Sequence, residues 1–495
     1  MTSHALPSGS QLANLLPGIR RARIACIGDV MLDRYVYGSV ERISPEAPIP
    51  ILRIEREARM LGGAGNVAGN VAGLGVEVRF LAVIGADDAG RDVRALLESL
   101  PPVEPTLLLD PGRATTEKIR YVGAGQQILR TDRETPRPVD GALLGAVDAW
   151  LDRNIPDCGV LILSDYGKGM LSQEVLARAI QAARRHERPI LVDPKGTDFQ
   201  RYRGCSVITP NRRELRAAVA MPVGDSGEIE AAARRLIDDI GVTAVLVTRS
   251  EEGMSLVPAD GPASHIAADA REVFDVSGAG DTVVATLGCA LGAGIAMLPS
   301  AMIANVAAGV AVSKFGTATV GQAELGYALR KLDADRFAEK VVSVEEARAA
   351  VDAWRSAGRS VGFTNGCFDL LHPGHVSLIR RARERCDRLV VGLNSDSSVR
   401  HLKGETRPVQ NEAARAAVLA ALQDVDLVVI FAEETPLELI RELKPDALFK
   451  GADYTIETVV GADIVRACGG RVELIELVPD ASTTRLVSRI TGTPG

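Results

Sequence analysis

The sequence predicts an α/β protein of two units: a larger parallel sheet carrying a small β lid, followed by a smaller α/β unit. Three observations lead to this class. Short apolar runs alternate with Ala/Leu/Arg stretches of helical length, the pattern of a parallel sheet covered on both faces. The alternation stops at a charged helical segment and then restarts. The chain has 495 residues, more than one core normally organises. The expected divisions are 1–325 for the first unit, 326–342 for a linker and 343–495 for the second.

In chain order, strands are expected at Ile24–Ile27, Val78–Ile84, Val160–Leu163, Ile190–Val192, Val207–Ile208 and Ala244–Val247. Helical segments such as Gln173–Arg185 and Ile229–Ile240 lie between them. Tyr35–Ile54 differs, because Pro45, Pro48 and Pro50 stand among β-branched residues. That suits edge strands or a flap rather than a central strand. Thr282–Ser313 holds no charged side chain and is long enough to span a bilayer. It is mostly Ala, Gly and Val with Pro299 and Asn305, so it reads as a pair of helices packed inside a core. YALRKLDADRFAEKVVS forms the connection, and Ser343 is a plausible N-cap for a helix carrying Glu345 and Glu346 in its first turn. The second alternation follows as strands Val361–Thr364, Leu389–Leu393, Leu427–Ile430 and Ala447–Phe449, with helices His375–Arg385, Asn411–Leu422 and Pro436–Leu443 between them.

A formal net charge of −7 argues against a nucleic-acid surface, so phosphate chemistry has to rest on local sites. The seven cysteines are scattered, with no C-x-x-C pair, as expected of free thiols in the cytoplasm. The N-terminus lacks a basic start followed by an apolar run, so no secretory leader is expected. No metal-ligand cluster is read from the chain. There is no G-x-x-x-x-G-K-[ST] loop and no clean G-x-G-x-x-G after a strand, which disfavours P-loop enzymes and nicotinamide dehydrogenases.

Two motifs carry chemistry. In Asp275-Val-Ser-Gly-Ala-Gly-Asp281-Thr282, the small Gly278, Ala279 and Gly280 let backbone amides approach a ligand at a helix start. These amides form an anion hole for a phosphoryl group, and Asp281 is placed to accept a hydroxyl proton. A Gly-rich helix start without chemistry has the same spacing. Gly62, Gly63 and Asn66 offer a loop and an amide for sugar hydroxyls. Asp29, Asp33, Asp193-Pro194-Lys195 and Asn211-Arg212-Arg213-Glu214 follow strands, where open α/β sheets place ligands. Carboxylates and amides there can organise magnesium and triphosphate. The second motif is Phe363-Thr-Asn-Gly-Cys-Phe-Asp-Leu-Leu-His372-Pro-Gly-His375, a strand, a loop and a helix start. Its paired histidines can hydrogen-bond an α-phosphate. Two histidines satisfied within a turn are the plainer alternative, and zinc lacks further ligands nearby.

The first series, GD…GG-x-x-N…DPK…TPN-x-x-E…D-x-S-GAGDT, resembles the ribokinase-like carbohydrate kinases of the phosphofructokinase B family over Ile24 to Val320. The resemblance implies Asp281 as base, Gly278 to Gly280 as anion hole, and Asn211, Arg212, Arg213 and Glu214 beside ATP. It implies Asp29, Asp33, Gly62, Gly63, Asn66 and Lys195 near the sugar, a β lid at Tyr35–Ile54, and a homodimer. Ser277 stands where the family commonly has Thr. The second motif is similar to the H-x-G-H nucleotidyltransferases, which have a Rossmann-like fold. By that resemblance His372 and His375 stabilise transfer at the α-phosphate. Thr364, Asn365, Gly366, Phe368, Asp369, Asn394, Asp396, Lys403, Lys450, Ser482, Thr483 and Thr484 surround the nucleotide. The order of the two halves, with RISPEAPIPIL in the lid, resembles a family of bifunctional heptose 7-phosphate kinases and heptose 1-phosphate adenylyltransferases. It implies ATP and Mg2+ as cofactors, sugar phosphates as ligands, no nucleic acid and no membrane insertion. Lys118, Arg120 and Arg130 are candidates for the substrate's existing phosphate, or plain solvated strand charges. A cytidylyltransferase of other specificity, and an inactive ligand-binding protein, are the competing readings.

Overall fold

The computed structural model describes residues 6–476 except 124, 269–272, 315, 339 and 453. The chain divides into two compact units at Arg330/Lys331. In chain order the strands of the first are β1 (Arg23–Gly28), β2 (Val30–Ile43), β3 (Pro50–Gly63), β4 (Glu77–Ile84), β5 (Val103–Leu109), β6 (Glu117–Gly123), β7 (Gln126–Arg133), β8 (Val160–Ser164), β9 (Ile190–Asp193), β10 (Val207–Ile208), β11 (Ala244–Thr248), β12 (Met254–Pro258) and β13 (Ser264–Ile266).

Nine of these form one sheet in the order β13-β12-β11-β10-β9-β8-β1-β4-β5. It is parallel from β5 to β11, and β12 and β13 are added antiparallel at one edge. The central strands read as unbroken apolar runs because both faces are covered. Val160–Ser164, for example, is buried along its whole length. The uncharged stretch forms two helices, Ala279–Gly292 and Met297–Val312, and no described helix is long and apolar enough to cross a membrane. Ala279–Gly292 packs on the similarly small-residued helix Ala64–Gly73 and against the sheet. Gly288 shows why the residues are small: a Cβ there would meet the Ile162 side chain at 2.5 Å.

The lid is a separate four-stranded sheet, β3-β2-β6-β7. The flap expected at Tyr35–Ile54 is the far part of the long β2–β3 hairpin. β6 runs parallel to β2, with Lys118 beside Asp33 and Arg120 beside Tyr35. The charges of β6 and β7 therefore belong to the lid. β2 begins two residues after β1 ends, so the lid grows directly out of an interior strand of the main sheet.

The second unit contains β14 (Val341–Val342), β15 (Val361–Gly366), β16 (Arg388–Asn394), β17 (Leu427–Phe431), β18 (Ala447–Gly451) and β19 (Arg471–Ile475), all parallel, in the order β14-β17-β16-β15-β18-β19. Along β16, Val390 enters one core with Phe363 and Leu439, while Leu389 and Val391 enter the opposite core with Ile379 and Leu419. This two-residue alternation between two buried faces makes a doubly wound layer. The order reverses on either side of β15, and that switch point is where such sheets place ligands.

Gly28 closes β1 against β8. A Cβ there would collide with the Ser164 carbonyl oxygen and lie 2.7 Å from the Ala64 Cβ. Gly28→Ala is expected to destabilise the first unit by about 1–3 kcal/mol. Denaturant unfolding should show this while the second unit's transition stays in place.

Candidate active sites

In the first unit the expected residues converge at the carboxyl ends of β1, β8, β9, β10 and β11. Helix Ala279–Gly292 begins at Gly278, whose φ is +79° and which provides no side-chain cap. A Cβ at Gly278 would also come within 2.6 Å of Asn66 Nδ2, so glycine is required for both reasons. Nothing lies within 4 Å of the place a Gly280 Cβ would occupy, so the helix start is open at that residue, while the Ala279 N–H donates to the Val276 carbonyl at 3.3 Å.

Asp281 is buried in the first turn of this helix. Asn66 Nδ2 donates to its Oδ2 at 2.7 Å, and the Tyr166 hydroxyl donates to its Oδ1. Asn70 Nδ2 donates to Asn66 Oδ1 at 3.1 Å, which turns the Asn66 amide so that its N–H faces the carboxylate. Burial raises the Asp281 pKa to about 6; the bonds from Tyr166 and Asn66 oppose that rise, Asp33 adds to it and Lys118 opposes it. Asp281 is thus ionised at neutral pH and still basic enough to take a proton.

Beside it a polar cavity of about 190 Å³ is lined by Asp165, Tyr166, Asp193, Lys195, Asn211, Glu214 and Gly280. A larger, mostly apolar cleft of about 650 Å³ shares Asn211, Thr248, Gly280 and Val283, then continues past Val276, Ala308 and Val312. A small polar chamber opening into a larger apolar cleft suits a nucleoside triphosphate. The Asn-x-x-Glu element is a capping box: Glu214 N–H donates to Asn211 Oδ1 at 2.9 Å and Asn211 N–H to Glu214 Oε2 at 3.1 Å. Glu214 Oε1 accepts from Lys195 Nζ at 3.3 Å. Lys195, expected near the sugar, therefore meets Glu214, expected beside ATP, because β9 and β10 are neighbours. Arg212 pairs with Glu252 at 2.5 Å. Arg213 lines a separate surface depression with Arg216, since a helix turns successive residues to different faces.

On the lid side, buried Asp33 accepts from Arg120 Nη1 at 2.7 Å. A Gly62 Cβ would come within 2.5 Å of Asp33 Oδ2, so this glycine makes room for the carboxylate. Gly63, at φ +57°, turns the chain into helix Ala64–Gly73. Asp29 accepts from the N–H groups of Tyr166 and Lys168 (2.9 Å each) and Met170 (2.8 Å). It ties β1 to the turn after β8, and burial outweighs those bonds in raising its pKa. Tyr166 was absent from the sequence-based site; its position two residues beyond a buried strand was the available signal.

In the second unit His372 is the N-cap of helix Pro373–Arg383 without capping it by its side chain. The two histidine rings stack with centroids 3.8 Å apart, and Phe368 meets His375 edge-on at 5.1 Å. Phe368 holds φ +43° to do so and covers Gly366, where a Cβ would lie 3.2 Å from its ring. Burial, then His372 and Lys403, bring the His375 pKa down to about 4; burial also lowers that of His372. Both rings are therefore neutral at pH 7, each with a single ring N–H, and a bond to the Leu370 backbone engages His375. Thr364 Oγ1 and Asn365 Oδ1 are buried at the end of β15 with no protein partner among the described residues. Lys450 Nζ donates to the Asn365 carbonyl at 3.0 Å, and Lys403 ends helix Asp396–Lys403, exposed.

Three residues expected around the nucleotide, Asp369, Asn394 and Asp396, make ties within the protein. Buried Asp369 accepts from Arg407 Nε and from the N–H of Val409 at 2.6 Å, holding the loop before Asn411. Asn394 Nδ2 donates to Ser398 Oγ at 3.0 Å. Asp396 accepts from Arg415, which the sequence reading missed. Arg415 is fully buried and donates to Asp396 Oδ1 (2.7 Å), the Cys367 carbonyl (2.6 Å) and the Gln410 carbonyl (3.0 Å). Ser482, Thr483 and Thr484 lie outside the described residues.

Residues 21–323 match the family model of pfkB family carbohydrate kinases, and residues 363–487 match the cytidylyltransferase-like model. The chain is 53% identical to the bifunctional protein HldE of Paramagnetospirillum magneticum, covering 98% of this chain and 99% of that protein. It is likewise 53% identical to HldE of Rhodospirillum rubrum, covering 97% of each. The structure of Arabidopsis thaliana ribokinase complexed with ribose and ATP superposes at a TM-score of 0.51 with 18% identity, over 62% of this chain and 98% of that one. That likeness is one of fold.

Because folded His375 titrates near 4 and a free histidine near 6.5, the unfolded chain binds more protons between those values. The second unit should lose stability as pH falls from about 6.5 toward 4, and His375→Gln should flatten that dependence in denaturant titrations. Arg415→Met removes the buried donor that three partly exposed acceptors share. It is expected to cost this unit about 1–3 kcal/mol and to suppress its chemistry, measured by unfolding and turnover together.

Proposed function

The chain belongs to the pfkB family of carbohydrate kinases through its first unit and, over nearly its full length, to the family of bifunctional HldE proteins, and on that premise we propose that it carries out two steps of ADP-heptose synthesis. The first unit phosphorylates O1 of D-glycero-β-D-manno-heptose 7-phosphate with ATP. The second transfers the adenylyl group of ATP to D-glycero-β-D-manno-heptose 1-phosphate, releasing pyrophosphate. The product serves lipopolysaccharide core assembly in the cytoplasm.

The observation that carries the kinase step is the buried Asp281 carboxylate, held by Asn66 and Tyr166 beside a polar cavity at an open helix start. The sugar hydroxyl gives its proton to Asp281 as its oxygen attacks the γ-phosphorus and ADP leaves. The amides around Gly278 to Gly280 face the charge that develops on the phosphoryl oxygens. Lys118 and Arg120 line up with Asp33 and Tyr35 on the lid and supply cations for a substrate that already carries a phosphate.

The carboxyl groups of Asp193 and Glu214 line the phosphate cavity, where magnesium entering with the triphosphate would neutralise its charge.

In the second unit the observation is the stacked His372–His375 pair at the end of β15. The sugar 1-phosphate oxygen attacks the α-phosphorus directly as pyrophosphate leaves, the paired imidazoles lie against the α-phosphate oxygens, and no covalent enzyme intermediate forms. A homodimer through the lid accords with the exposed apolar residues Val40, Ile43 and Ile54 there.

Incubation with magnesium, ATP or CTP and candidate sugar phosphates, read by mass spectrometry, tests the assignment; preference for CTP would overturn the adenylyl step. Asp281→Asn should lower kinase turnover by about 10²–10⁴-fold. The wild-type rate should fall on the acid side near pH 6, where Asp281 becomes protonated. His375→Ala should abolish nucleotidyl transfer and leave the kinase unchanged.

A further inference from the structure

Tyr166 stands two residues beyond β8, and its side chain reaches Asp281, 115 positions along the chain. The turn that carries it is clamped by Asp29, which accepts from the N–H of Tyr166 and from those of Lys168 and Met170. The ring packs over Gly63, where a Cβ would lie 3.4 Å from it. The same side chain lines the polar cavity with Asp193, Lys195 and Gly280. The phenol therefore touches the proposed base on one side and the phosphate chamber on the other.

A carboxylate bonded through one oxygen alone can still swing about its Cβ–Cγ bond. With Asn66 on Oδ2 and Tyr166 on Oδ1, that rotation is blocked. We infer that Tyr166 is a positioning residue of the phosphoryl-transfer step: its phenol and the Asn66 amide together fix the Asp281 carboxylate so that a free lone pair meets the acceptor hydroxyl at the edge of the phosphate cavity. The inference rests on the kinase reading and adds to it the group that aims the base.

The direction of the proton follows from the surroundings. Burial, then the charges of Asp281 and Asp193, hold the phenol proton far more tightly than in water, so Tyr166 stays a donor. In the transfer the acceptor O–H bond breaks, its proton goes to Asp281, the new O–P bond forms and the bond to the ADP oxygen breaks. The Tyr166 proton stays in place throughout, and the hydroxyl continues to hold the carboxyl group.

Tyr166→Phe removes the hydroxyl and keeps the ring over Gly63. Kinase kcat is expected to fall about 10–100-fold with KM for ATP held within about twofold, the pattern of a lost transition-state alignment. The acid limb of the rate profile should move to higher pH, because the Tyr166 bond opposes the rise that burial imposes on Asp281. The influences of Asp33 and Lys118 on that group remain. In an Asp281→Asn background the same substitution should cost no more than about twofold, since there is no carboxylate left to aim. Nucleotidyl transfer by the same polypeptide, assayed in parallel, should stay at the wild-type rate. Tyr166→Phe with wild-type kcat and an unmoved acid limb would overturn the inference, as would a loss confined to KM. A wild-type chain that phosphorylates no sugar phosphate would instead remove the kinase reading itself.

Discussion

Asp281 is a carboxylate shut away from water, and the first unit has to keep it there charged, oriented and within reach of a hydroxyl. Burial alone would protonate it, so donors must be brought from elsewhere in the chain: Asn66 from one helix and Tyr166 from the turn after β8. Each donor needs support of its own. Asn70 orients Asn66, Asp29 clamps the Tyr166 turn, and Gly278 removes the Cβ that would displace Asn66. The small-residue helices follow from the same demand, because only Ala- and Gly-rich surfaces let Ala64–Gly73 and Ala279–Gly292 approach closely enough for an amide to reach a carboxylate between them.

The second unit solves a related problem with neutral donors. A polyphosphate needs N–H groups aimed at it, and protonated histidines packed 3.8 Å apart would repel one another. Partial burial keeps both rings neutral, while Phe368 and the helix start fix their direction. Behind them Arg415 gathers the loop after β15, the loop before Asn411 and the start of helix Asp396–Lys403 into one body. Its charge is tolerated in the interior because three acceptors surround it.

The two units share a plan: a parallel sheet, a strand end at or near its centre, and a helix whose first amides are left without a side-chain cap. Elsewhere in the chain Asp87, Ser172, Asp225 and Ser343 cap their helices in the ordinary way. Both helix starts thus carry no side chain between their first turn and a ligand, one with a carboxylate added as base and the other with a pair of imidazoles.

The central parallel strands and the helices between them, the two-unit plan and the motif residues were legible from the sequence, because periodicity and turn chemistry are local properties; the edge strands β5, β12, β13, β14 and β19 and the lid strands β6 and β7 were not. Asp281, Asn66, His372 and His375 stand out by type and spacing alone. Tyr166 and Arg415 did not, since an isolated tyrosine or arginine has no local pattern and gains meaning only from partners far along the chain. The partners of Lys195 and Arg213 were hidden for a related reason: which groups a residue meets depends on which strands are neighbours and which way a helix turns. The sequence by itself determined what the chain is built from and which chemistry it carries. Only the tertiary structure decided which donors hold the base, because a hydrogen bond between residues 115 apart exists only once the sheet has brought them together.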